Sequence, residues 1–348
     1  MEGRSLQVLV GGIAILAIFA AVRVASAVFA PVACALFIIA ILWPMQSGLQ
    51  SLLPKLVALA IVILISVAVF VVFASVVAWA FGRVGRWVVT DAARLQLYHE
   101  QMKEWLEGHG IAVAGLWTEY LDVGWLFRAV QRVTGRVNTT VTFWLVVLVY
   151  VVLGLLEVDD MERKIRSLKN QQAAVVLLDG CIASAAKLRK YLAIRTLMSV
   201  ITGALVWALA SLAGLQFATE WGVIAFALNY IPFIGPFIAT AFPTLFALAQ
   251  FASWQAALML FVCLNVIQFV VGSYIEPRVH GNALAVSPFI VLFSVFLWTF
   301  LWGLFGAFIG VPITIAILTF CAQHRSSRWL ADLLGPPARP PMVAEVQR

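Results

Sequence analysis

Between Thr196 and Gln323 the chain carries only three formal charges, Glu220, Glu276 and Arg278. Two of them share the stretch Ile275-Glu276-Pro277-Arg278-Val279-His280-Gly281, the polar end of an apolar run that also holds Asn265, Gln268, Gly272 and Tyr274. Carboxylates within membrane segments are costly and are usually functional, so Glu276 is a candidate carrier of a coupling proton. It can equally pair with Arg278, two residues on, as a structural lock at the membrane edge. Asn229, Asn265 and Gln268 offer neutral donors and acceptors suited to hydroxyl groups. Each can instead serve interhelical hydrogen bonding, worth about 0.6–2 kcal/mol per contact. The residue before a proline is disfavoured in α, so a helix is expected to end at Glu276. A single His280 near an interface is read as an ordinary polar residue.

The second constellation is Asn229-Tyr230-Ile231-Pro232-Phe233-Ile234-Gly235-Pro236, inside an apolar run from about 221 to 251. Pro232 and Pro236 each remove an N–H and press a ring on the preceding turn, with Gly235 between them. Within a membrane, a backbone freed in this way is tolerated only against protein or a wet cavity. A broken or re-entrant helix is therefore expected here, with a simple proline kink as the alternative. A further set, Gly303, Gly306, Gly310 and Pro312, interrupts the last apolar run. Gly306-x-x-x-Gly310 has the spacing of small-residue helix packing, and these glycines are read as serving close backbone approach rather than binding.

The surroundings are those of a polytopic membrane protein. Hydrophobic residues make up 63% of the 348 and charged residues 11%, with a mean hydropathy of +1.01. A soluble domain of this size needs far more surface charge. The net charge of +7 is spread over loops, and no block is basic enough for nucleic acid. Cys34, Cys181, Cys263 and Cys321 are scattered without a C-x-x-C, so neither a disulfide framework nor a metal site is indicated. No catalytic triad, metal cluster or phosphate loop is present. An enzyme is not expected, and no cofactor is called for.

The fold class is all-α, with about eight hydrophobic segments near 6–25, 27–45, 54–81, 138–156, 196–214, 219–251, 256–275 and 288–322. The segment from Leu6 to Val22 is read as a first span rather than a cleaved signal. The organisation that follows is N-terminal spans in 1–81, an amphipathic extramembrane segment in 82–136 and a fourth span in 137–157. A basic segment in 158–195, a transport-site region in 196–322 and a tail in 323–348 complete it. Residues 157–195 carry eight cations against five anions, net +3, while 82–136 net +1. The positive-inside rule then puts 157–195 and both termini in the cytoplasm. The runs 219–251 and 288–322 exceed the ~20 residues of a single span. An eight-span count and a count with two re-entrant hairpins give the same side for the C-terminus, and the hairpins are preferred.

Together these stretches resemble the autoinducer-2 exporter family of bacterial inner-membrane transporters. That family carries N-Y-I-P-x-I-G-x, then I-E-P-x-x-x-G…S-P, then L-W-G-x-x-G-x-x-x-x-V-P. Here they stand at Asn229–Pro236, at Ile275–Gly281 with Ser287-Pro288, and at Leu301-Trp302-Gly303…Gly306…Val311-Pro312. Leu192, Thr202-Gly203, Trp221-Gly222 and Phe226 also follow the family, and the match is close over about 185–322. Asn282 to Val286 and His280 depart from the usual pattern beside the presumed site, which bears on substrate identity. The resemblance implies a transporter in the bacterial cytoplasmic membrane, in contact with the lipid bilayer and assembled as a homo-oligomer of five copies. Its cargo would be a small polyol-like signal such as autoinducer-2, or in other branches sodium or protons in exchange. A sodium–proton antiporter and a non-transport membrane scaffold stand as the alternatives. The pathway is expected at Asn229, Pro232, Gly235, Pro236, Asn265, Gln268, Glu276 and Arg278, and the helix breaks or packing points at Pro277, Gly281, Gly303, Gly306, Gly310 and Pro312.

Overall fold

The computed structural model describes residues 2–90, 137–280, 286–324 and 326–335. Gly281, the 91–136 part of the expected amphipathic segment and the tail from 336 on lie outside them. Among the described residues the chain is helical with no strand. The helices are α1 (Glu2–Val24), α2 (Ser26–Gln50), α3 (Lys55–Thr90), α4 (Val137–Arg166), α5 (Gln171–Leu212), α6 (Ala218–Leu228) and α7 (Ile234–Phe251). They continue with α8 (Trp254–Phe269), α9 (Glu276–His280), α10 (Pro288–Trp302), α11 (Leu304–Gln323) and α12 (Arg328–Leu334). A π-turn, Val270–Ile275, joins α8 to α9 without a break. Among the described residues, seven helical stretches are long and apolar enough to cross a membrane, with shorter apolar helices beside them. Such a chain is a multi-pass membrane protein.

Both over-long apolar runs fold as a helix, a break and a second helix. At 11 residues, α6 is about 16 Å long and cannot cross a hydrocarbon core of about 30 Å. Gln250 Nε2 donates to Gly214 O at 2.8 Å and its Oε1 accepts from Gln216 N at 2.8 Å. The far end of α7 thus returns to the start of α6. In the later hairpin Gly303 turns the chain at φ +64°, a conformation glycine adopts without a Cβ penalty. Gly306 packs directly on the Trp298 carbonyl, and a Cβ on Gly310 would stand 2.9 Å from that of Trp298.

The chain divides into two compact units, and the division falls at the start of α3 and inside α4, α5 and α9. One unit comprises Met1–Lys55, Val149–Ile194 and Arg278–Arg348. Here Pro44 leaves the Ala40 carbonyl of α2 without its usual partner, and Arg189 Nη1 on α5 donates to that oxygen at 2.9 Å. The fully buried Gln46 donates to Leu155 O at 3.2 Å, and Trp302 Nε1 donates to Val22 O at 3.2 Å. The Arg189 contact gives a first expected result. Arg189→Ala should lower the melting temperature in detergent. In a Pro44→Ala background, where the backbone N–H returns, it should cost about 1 kcal/mol less. Equal costs in both backgrounds would mean the arginine does not serve that carbonyl.

The other unit comprises Leu56–Leu148 and Arg195–Pro277. Trp221, Val206, Ala210, Ala225, Phe246, Leu260 and Leu264 form its buried cluster, with Phe246 ringed by Trp87, Phe217 and Trp221 at centroid distances of 4.4–5.6 Å. Lipid tails are as apolar as leucine, so the cluster gains from close packing and ring contact rather than from leaving water. This unit holds the first broken hairpin and Glu276.

Candidate functional site

The site is built on one face of α5. Arg195, Ser199 and Thr202 recur at i, i+4 and i+7, the spacing of a helical stripe, with Thr196 beside them. All but Thr196 are buried. α5 is unbroken through 195, so the expected boundary between a basic segment ending there and a membrane region starting at 196 has no counterpart in the backbone. Arg195 is a buried side chain in mid-helix.

Its partner is Glu276. Arg195 Nη1 donates to Glu276 Oε1 at 2.8 Å, and the two side chains are 8% and 21% exposed. The helix does not end at Glu276, contrary to the rule for residues before proline. The backbone there is αR, and the Glu276 N–H bonds to Val271 O, five residues back. The wide π-turn leads directly into Pro277, which brings no N–H to the helical ladder. Such turns occur often at functional sites.

Beside Arg195, Tyr230 Oη donates to Thr196 Oγ1 at 3.0 Å, and one helical turn along α5 Asn229 Nδ2 donates to Ser199 Oγ at 3.2 Å. Asn229 and Tyr230 close α6, where the chain turns into the break. Ile234 N–H donates to Pro232 O at 2.7 Å around Phe233, whose φ is +63° and ψ −54°. This is a γ-turn in its strained, positive-φ form. Pro236 brings no N–H to compete for the same carbonyl, and Gly235 packs on the backbone carbonyl of Leu228. Each residue of the Pro-x-x-Gly-Pro stretch thus has a local task in bending the chain behind Asn229.

Among the described residues of this unit, Arg195 Nε and Thr202 Oγ1 on the α5 stripe and Gln268 Nε2 on α8 are buried donors without a hydrogen-bond partner. An unmet buried donor costs about 1–3 kcal/mol, so three in one unit form a set that acceptor oxygens on a solute would satisfy. Asn265 is not brought into this set. It is exposed, and its Nδ2 bonds to Phe261 O on its own helix at 2.8 Å. Arg278 is exposed on α9. Gly303, Gly306, Gly310 and Pro312 belong to the later hairpin, in the other unit.

Sequence reasoning missed Arg195, Thr196, Ser199 and Thr202. The polar stripe at helical spacing was the available signal. A second ion pair lies in the same unit: Glu220 Oε1, on a side chain only 4% exposed, is 2.8 Å from Nη1 of the half-exposed Arg83 on α3. The geometry is that of a charge contact rather than an aligned hydrogen bond.

Comparison with known proteins places these features. The AI-2 transport protein TqsA of Escherichia coli (strain K12) is 27% identical over 338 residues, 96% of each chain. The putative transport protein YhhT of the same strain is 34% identical over 193 residues, 55% of this chain and 54% of its own. The putative transport protein YrrI of Bacillus subtilis (strain 168) is 29% identical over 137 residues, 39% of this chain and 37% of its own. The sequence pattern of the AI-2E family transporter matches residues 13–326, a stretch that takes in both broken hairpins, Arg195 and Glu276. The chain belongs to the AI-2E transporter family.

Proposed function

We propose that the protein is a secondary transporter that exports a small polar solute, autoinducer-2 or a compound like it, across the bacterial cytoplasmic membrane. On this reading export is coupled to a proton or ion gradient. The observation that carries the proposal is the part-buried Arg195–Glu276 pair, in one unit with the Asn229–Ser199 contact and three unmet donors. Unmet N–H and O–H donors suit a solute rich in acceptor oxygens, such as a polyol. An ion pair beside them supplies a carboxylate that can trade its arginine partner for a proton as the solute moves. A broken helix with freed backbone groups is where transporters commonly hold their cargo. The protein acts here as a carrier rather than an enzyme, in keeping with relatives described as transport proteins. It works as a homo-oligomer, five copies by family resemblance, with both termini in the cytoplasm.

Sodium–proton antiport is the second reading, favoured by the two carboxylates of this unit, the buried Glu220 and the part-buried Glu276. Sealed vesicles containing the purified protein distinguish the two. Under an imposed proton gradient, autoinducer-2 is expected to move faster than through empty vesicles. Movement of sodium instead selects the antiporter, and movement of neither leaves a membrane scaffold.

A further inference from the structure

A groove of about 330 Å³ lies among α3, α5 and α6, on another face of α5 from the polar stripe, with its Phe73 and Phe226 rings against Tyr230. Its walls are Phe73, Val76, Trp207, Val223 and Phe226, with Ala204 exposed within it. The floor exists because Gly203 and Gly222 bring α5 and α6 backbone to backbone: a Cβ on Gly203 would stand 2.8 Å from Gly222 O. Its size is at the lower end of the ~300–1,000 Å³ of small-ligand sites. Unlike those sites it carries almost no polar group. Thr219 is the polar residue of its lining, and the rest is apolar or glycine.

The polar chemistry lies at one end. Along α3, Arg83 is six residues, about 9 Å, beyond Val77 of the groove lining. Its guanidinium lies 5.6 Å from both the Trp79 and Phe217 rings, and 48% of the side chain is exposed. One terminal nitrogen faces Glu220, which leaves other N–H donors of the fork available. Arg86, exposed one turn on, folds back so that its Nη1 is 3.5 Å from where a Gly82 Cβ would stand. Among the described residues here, two arginines stand against one carboxylate. Tryptophans at 79 and 87 are the residues that settle at the level of lipid headgroups. The sequence therefore runs, within about two turns of α3, from an apolar cleft to an aromatic and cationic rim.

We propose that this groove is a binding site for an anionic phospholipid, with an acyl chain along Val76, Ala204 and Phe226 and the phosphate on the exposed edges of Arg83 and Arg86. Basic pockets between membrane helices take anionic headgroups by this charge complementarity. Arg–phosphate bonds can be bidentate, so they survive where a single surface charge would not. The site is independent of what the protein carries. Glu220 acts on it as an internal competitor, holding one nitrogen of the fork that a phosphate would otherwise take.

The test is native mass spectrometry of the purified full chain, with phosphatidylglycerol or phosphatidylethanolamine of identical acyl chains. Wild type is expected to retain phosphatidylglycerol preferentially. Ala204→Phe and Val76→Trp fill the groove from different helices. Each should lose the retained lipid while melting as wild type does, and if one of them misfolds the other is read. Arg86→Gln should lose the headgroup preference, and Glu220→Gln should increase it by freeing Arg83. Equal retention of the two lipids by wild type overturns the proposal. So does unchanged retention in the filled variants, and so does a change in protomer number without a change in lipid, which would give the groove to a second copy.

Discussion

Glu276→Gln is expected to abolish gradient-driven flux, and Arg195→Gln to lower stability by about 3–5 kcal/mol. The reasoning rests on burial. Both side chains are mostly removed from solvent and their charges meet at 2.8 Å. Two ions leaving water lose several kcal/mol of hydration each, and only mutual attraction returns it. Removing one partner strands the other in a medium that cannot hydrate it. For Arg195→Gln the stranded group is the carboxylate, which can relax by taking a proton. For Glu276→Gln it is a guanidinium, which cannot lose its charge. The second change should therefore destabilise at least as much as the first across the physiological pH range. Arg195→Met combined with Glu276→Leu removes both charges and should recover most of the stability yet remain inert. Melting in detergent reads the first quantity and proteoliposome flux the second. If the double variant were no more stable than the worse single variant, the pair would not be the interaction that matters.

Gly235→Val is the second substitution with a large expected effect. A Cβ at this position runs into the backbone carbonyl of Leu228, and backbone cannot swing aside as a side chain can. Overpacking of a tight site commonly costs about 1–3 kcal/mol, and a backbone clash belongs at or above the top of that range. The damage should be local to the turn from α6 into α7. That turn holds the strained Phe233 and sets Asn229 against Ser199. Expression in the membrane should fall, and protease should cut near the turn. Gly272→Ala is the control, because a Cβ there meets nothing within 4 Å. Normal folding of Gly235→Val would mean the hairpin is looser than its packing indicates.

What was legible in the sequence followed from local chemistry. Pro232, Gly235 and Pro236 announce a break because their backbone restrictions act within a few residues, and the chain does break there. Glu276 stands out because a lone carboxylate in an apolar run is rare. The partner of Glu276 was not legible. Arg195 lies 81 residues away, and it looks like the last member of a cytoplasmic basic run when helix ends are judged from charge alone. Only the 42-residue length of α5 carries that arginine into the apolar part of the chain. Asn265 failed differently. Its residue type fits a solute contact, but its side chain bonds to its own helix. The π-turn before Glu276 had no sequence signal beyond Pro277, whose usual meaning is that a helix stops.

The measurement that bears most directly on the proposed mechanism compares net flux with exchange in the same proteoliposomes. Labelled autoinducer-2 is followed with a proton gradient and no internal solute, then with equal solute on both sides and no gradient. Wild type should do both. If Glu276 is the coupling carboxylate, Glu276→Gln loses the gradient-driven flux and keeps exchange, because the solute donors remain while the proton site is gone. Loss of both together, in a protein that still folds, would make Glu276 a structural lock and contradict the account.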